Sequence, residues 1–77
     1  MKVLRLPQKL LNPITLPGMG RSLEINGLDT GSRNRIQEAF SKRELFIEWE
    51  EKPGTRDQVV NLWPDPHDPG RITLFIK

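Results

Sequence analysis

A chain of 77 residues with 35% hydrophobic content and no cysteine has room for one domain with a small core. It excludes disulfides, thiolate metal sites and cysteine nucleophiles together. A net charge of +2 is too small to define a partner. Its distribution is uneven: residues 1–43 carry eight Lys/Arg against three acids, and residues 44–77 carry four against seven. That split implies a basic and an acidic side, able to steer an anionic partner or to align protomers head to tail.

The chain opens on "MKVLRLPQKLLNPITLPG", where Lys2, Arg5 and Lys9 interrupt the apolar residues and Pro7, Pro13 and Pro17 break any helix. Neither a signal peptide nor a membrane span fits this pattern, so a cytoplasmic protein that does not engage membranes is expected. "KVLRL" leaves room for a short first strand. From Pro7 to Gly20 the proline spacing predicts an extended apolar segment laid over the surface. The domain organisation read from this is an N-terminal arm over 1–20 and a single domain over 21–77.

"SLEI" is a second short strand. In "SRNRIQEAFSKRE", Ile36, Ala39 and Phe40 recur at i, i+3, i+4 and Glu38 stands one turn before Lys42, which predicts an amphipathic helix. "ELFIEWEE" then alternates with Leu45, Ile47 and Trp49 on one face, the pattern of a half-buried strand. In "KPGTR", Pro53 and Gly54 occupy the second and third positions of a turn. "QVVNLW" sets Val60 and Leu62 against Val59 and Trp63, and "RITLFIK" sets Ile72, Leu74 and Ile76 against Thr73 and Phe75. The expected fold is a small single α+β domain in the order β-β-α-β-β-β. Its sheet is mostly antiparallel, with a C-terminal three-stranded meander and one amphipathic helix. Phe46, Val59, Trp63 and Phe75 form an apolar strip on the second sheet face, to be covered by the arm or by a partner.

The segment "NGLDTGSRNR" contains D-T-G-S, Asp29 to Ser32, which resembles the active-site loop of aspartic proteases. That resemblance implies a homodimer, because the mechanism needs two aspartates sharing a proton and this chain supplies one. It covers four residues. Gly27 interrupts the apolar strand that should lead into the aspartate, a helix-like run follows, and the chain has no tyrosine for a flap. The same letters also describe a turn at Asn26 and Gly27 followed by a helix cap from Asp29, Thr30 or Ser32. A protease-like enzyme using Asp29 is therefore the remote alternative.

The stretch "ITLPGMGRSLEINGLDTGSRNRI" resembles the swapped-hairpin AbrB-like DNA-binding family in its apolar-Pro, Arg, Leu and Gly-apolar-x-x-Gly spacing. The resemblance covers about a third of the chain and implies a nucleic-acid-binding regulator. It departs from the family at "RNRIQEAF", which has helical spacing where alternating β-branched residues belong. The nucleic-acid alternative would use Arg21, Arg33, Arg35, Lys42 and Arg43, with Lys2, Arg5 and Lys9 as a flexible basic arm. Gly27 and Gly31 do not make a phosphate loop, since no lysine follows them.

"WPDPHDPGR" brings Asp65, His67 and Asp68 together, but three ligands from one proline-stiffened loop make a poor metal site, and no metal or cofactor is expected. Glu48, Glu50 and Glu51 on a strand read as solubility and edge protection. Few residues remain for catalysis. The leading expectation is a non-enzymatic protein-binding module, accessory, regulatory or assembly in role, which contacts another protein or copies of itself. Its contact residues would be Leu11, Ile14 and Leu16 in the arm and Trp63 and Phe75 on the sheet.

Overall fold

Alternating apolar residues become strands wherever one face can be buried, and the computed structural model of the protein, which describes residues 1–14, 18 and 20–76, contains five of them. They are β1 (Lys2–Leu6), β2 (Arg21–Ile25), β3 (Leu45–Trp49), β4 (Asp57–Pro64) and β5 (Ile72–Ile76), with α1 (Thr30–Ser41) between β2 and β3. A short 3-10 turn, Gln8–Leu10, opens after Pro7. The expected α+β class and the order β-β-α-β-β-β are thus observed, and β3, β4 and β5 form the antiparallel meander.

The spatial order is β1-β3-β4-β5-β2. The two strands from the first third of the chain are therefore separated and placed at the two ends of the sheet. β2 pairs antiparallel with β5, whereas β1 pairs parallel with β3, from Lys2 opposite Leu45 to Leu6 opposite Trp49. A parallel pair needs a long crossover, and the segment running through β2 and α1 supplies it. This interleaving offsets part of the charge split seen along the chain. Arg5 lies 3.5 Å from Glu48, Arg21 3.6 Å from Asp57, and Arg71 2.7 Å from Glu24. Each pair joins the two halves of the chain: Arg5–Glu48 and Arg21–Asp57 match a cation of the basic half with an acid of the acidic half, whereas Arg71–Glu24 runs the other way, so the expected split is neutralised in part across the sheet.

The core lies between α1 and one face of the sheet. Leu23, Leu45, Ile47, Trp49, Val59, Ile72, Leu74 and Ile76 gather there with Ile36 of the helix, and Ala39 and Phe40 pack against them. Trp49 reaches the sheet margin, where its Nε1–H donates to Asp57 Oδ2 at 2.8 Å. That bond satisfies the indole donor and lets a large ring be buried.

Val59 belongs to this core and not to the opposite face, which corrects the expected strip of Phe46, Val59, Trp63 and Phe75. The pairing of β4 with β5 shifts between Val59 and Asn61, so Val60 is an extra residue that reverses the alternation. Val59 and Leu62 consequently share the helix side, opposite Ile76 and Leu74, while Asn61 and Trp63 share the outer side, opposite Phe75 and Thr73. Gln58, opposite Phe46, and Asn61 interrupt the strip with polar groups.

Two glycines shape the connections. Gly54 adopts φ +88° in the β3–β4 turn, where Thr55 N–H donates to Lys52 C=O. Gly70 touches the β2–α1 connection so closely that a Cβ there would stand 3.0 Å from the Leu28 carbonyl oxygen. The Leu28 N–H donates back to Gly70 C=O at 3.0 Å. The β4–β5 loop is thereby fastened to the entrance of the helix. Among the described residues, no helix is long and apolar enough to cross a membrane.

Candidate protein-contact site

Trp63 and Phe75 project from the outer face of neighbouring strands, and their rings meet edge to face with centroids 4.6 Å apart and planes at 61°. Phe75 is 5% exposed and Trp63 51% exposed. The pair is therefore a buried base carrying an open ring, and Phe75 acts on the surface by fixing Trp63. Aromatic pairs in this geometry attract beyond their area burial and hold the upper ring in place.

The rim around this ring is polar. Thr73 lies opposite Trp63 on one side and Glu24 on the other. Arg71 donates to Glu24 at 2.7 Å and stands 3.8 Å from Asp65, a network of two acids and one cation. The Arg71 pKa is raised, first by the Glu24 hydrogen bond and then by its charge. Asp65 is held below the usual carboxylate range, chiefly by the His67 backbone N–H, with the Asp68 N–H and the Arg71 charge adding to it.

The arm residues fare unevenly. Leu11 forms a bridge to Leu23 and packs on the core, so it is a structural residue as much as a surface one. Ile14 is 69% exposed, just beyond a tight turn in which its N–H donates to Asn12 Oδ1. Leu16 lies outside the described residues. The structure does not bring Ile14 into contact with Trp63. Val60 was not singled out from the sequence, yet it is half exposed. It borders an open groove of about 480 Å³ lined also by Phe40, Ser41, Arg43 and Gln58. Nothing in the letters Val59-Val60 marks which of the two is displaced, since both are apolar and β-branched.

The residues of the nucleic-acid reading are dispersed, and four of the five have side-chain partners. Arg21 pairs with Asp57, Lys42 with Glu38 at 3.1 Å, and Arg33 donates to the Pro69 carbonyl at 3.2 Å. Arg35 donates to Ser32 Oγ at 3.3 Å. Arg43 follows the helix in a left-handed conformation, φ 57°, where Glu44 N–H reaches back to Ala39 C=O. Arg33 and Arg43 sit at opposite ends of α1, and Lys2 and Arg5 belong to β1 instead of a flexible arm.

The D-T-G-S letters form the start of α1. Asp29 is the N-cap and its Oδ1 accepts the Ser32 N–H at 2.6 Å. The Ser32 backbone and hydroxyl groups, with a smaller contribution from Arg35, hold the Asp29 pKa below its ordinary value. The helix N-terminus is thus already occupied by a carboxylate of its own chain. The segment that would be a strand in an AbrB-like hairpin is this helix.

In the proline loop, Asp65 Oδ1 accepts the His67 and Asp68 backbone N–H groups and Asp68 Oδ1 accepts that of Gly70. The carboxylates shape the turn. No cluster of three potential ligands occurs among the described residues. No family model, curated protein or solved structure matches the chain.

Proposed function

We propose that this protein is a small non-enzymatic protein-binding module, an accessory, regulatory or assembly component of the cytoplasm, which receives its partner on the outer sheet face around Trp63. The observation that carries the reading is the Trp63–Phe75 pair, half of Trp63 being open to solvent while its lower neighbour is buried. A large ring already fixed by its own fold loses little freedom on binding, and tryptophan dominates the energetics of many interfaces. The polar rim of Glu24, Arg71, Asp65 and Thr73 matches the anatomy of such sites, with an apolar centre inside a solvated margin. The dispersal of the cations favours this reading over nucleic-acid contact: Arg33 and Arg43 stand at opposite ends of α1, and Arg21 and Lys42 are each bridged to an acid, which leaves fewer counterions to release from a phosphate backbone.

The test is recovery of a partner from host extract after nuclease treatment and at high salt, followed by affinity measurement against Trp63→Ala. The expected loss is about 2 kcal/mol or more of binding free energy. Unchanged affinity in a folded variant would remove Trp63 from the interface. Capture of nucleic acid that vanishes at high salt would replace the reading with the arginine-based one.

A further inference from the structure

A sheet of five strands has edges, and each exposed edge is a row of backbone donors and acceptors that a second chain can join unless something blocks it. The edges of this sheet differ sharply. At β2 the arm takes the place of a neighbour: Asn12 N–H donates to Ser22 C=O at 2.8 Å and Leu11 bridges Leu23. Past Gln58, β4 runs beyond the reach of β3. There the Leu62 N–H is occupied by Asn61 Oδ1 at 2.9 Å, and Pro64 has no N–H to offer. That edge is blunted.

Among the described residues, β1 meets no such device. Lys2 N–H donates to Glu44 C=O at 2.8 Å and Leu6 C=O accepts Glu50 N–H at 2.9 Å, so the even residues of β1 face β3. In a parallel ladder the alternate residues turn both backbone groups the other way. Val3 and Arg5 therefore point a complete N–H and C=O set out of the sheet. Edge strands are commonly protected by charge, but here the Arg5 guanidinium is drawn over the outer face to Glu48, 3.5 Å away. The charge is matched within the sheet and does not guard the edge.

We propose that β1 is a self-association edge at which a second copy of this chain adds its own β1 antiparallel, about a two-fold axis through Leu4. Val3 of each copy then exchanges both backbone hydrogen bonds with Arg5 of the other, giving four bonds and a continuous ten-stranded sheet. Two side-chain features select a second copy over an unrelated strand, since the outward backbone groups of Val3 and Arg5 alone would accept any antiparallel strand. Leu4 lies on the helix side, packed on the core yet only half buried, and the axis brings it against its own counterpart, extending both cores. On the outer side the Arg5 stem covers Val3 of the other copy, with its charge already neutralised by Glu48. A five-residue strand pair buries less than the ~1,200 Å² typical of stable interfaces, so the dimer forms in a concentration-dependent manner. This inference does not depend on Trp63, which lies on β4, two strands in from β1.

The experiment combines sedimentation over a wide concentration range with residue-resolved amide exchange. The weight-average mass is expected to rise from one chain towards two. Exchange at Val3 and Arg5 should slow by about tenfold with concentration, while Lys2 and Leu4, already bonded to β3, should not respond. Val3→Pro deletes an outward N–H without touching the β3 ladder and should hold the protein at one chain. If that variant fails to fold, the exchange pattern of the unaltered chain still decides. A single-chain mass at every concentration overturns the proposal, as does a dimer that survives Val3→Pro or that leaves Val3 and Arg5 unprotected. Protection of those two amides only when another protein is added would assign the edge to that protein instead.

Discussion

On the helix side of the sheet, Leu45, Ile47, Leu74 and Ile76 retain no exposed surface, whereas on the outer side Trp63 keeps half of its own and Gln58 and Asn61 separate it from Phe46. The same kind of strand supplies both faces. What distinguishes them is α1, which brings Ile36, Ala39 and Phe40 to one side only. Burial on the helix side follows from the cover α1 supplies, and on the outer side Phe75 is buried beside the Trp63 ring while Trp63 itself stays half open. The uncovered face is where a large side chain can remain available for contact.

The largest expected effect comes from breaking the covered face. Ile47→Ala should destabilise the protein by about 2–5 kcal/mol, from lost transfer energy and an unfilled cavity. Denaturant unfolding measures it, and a loss well under 1 kcal/mol would mean that this face is not the main source of stability. Trp63→Ala sharpens the contrast from the other side. It removes one aromatic pair, worth about 0.5–1.5 kcal/mol beyond the area buried, together with the half of the ring that is covered, and should cost less stability than Ile47→Ala, so its principal consequence is expected in binding. A loss as large as that of Ile47→Ala would make Trp63 a structural residue.

The smallest effect concerns the helix that creates the difference. The folded Asp29 pKa is depressed by the Ser32 groups, so its contribution is present above the unfolded value, about pH 4, and is lost as pH falls through the folded value. Acidification below about pH 4 should therefore loosen the first turn of α1, and Asn at position 29 should flatten that part of the stability profile. A profile identical in Asp29→Asn and the unaltered protein would show that the cap charge is immaterial. Asp65 shifts in the same direction and contributes to the same acid limb.

The α+β class, the helix and the meander are legible in the chain because their apolar periods are unambiguous, as in Leu45-Phe46-Ile47-Glu48-Trp49. The helix cap is legible too, once Asp29 is weighed against the residues that follow it. Three features are not. The bulge at Val60 leaves no mark, since Val59 and Val60 suit either face. The parallel pairing of β1 with β3 depends on contacts across more than forty residues, which local pattern does not encode. The charge split suggested two sides because strand order in space was unknown, and interleaving turns part of that split into the Arg5–Glu48 and Arg21–Asp57 pairs. The contact site was half legible. Trp63 beside a proline loop is conspicuous, but the burial of Phe75 and the docking of Leu11 on the core follow only from tertiary structure.

The position of β5 has a consequence for folding. Among the described residues, the strand-length sheet neighbour of β2 is β5, more than forty residues later. Until β5 slides between β4 and β2, β2 is held by no more than the Leu11 bridge and the Asn12 bond. Long-range closure of this kind is slow compared with local pairing. During that interval the half-made sheet exposes Leu23 and Ile25, which makes the insertion of β5 the step at which this protein is most open to misassembly or to rescue by a chaperone.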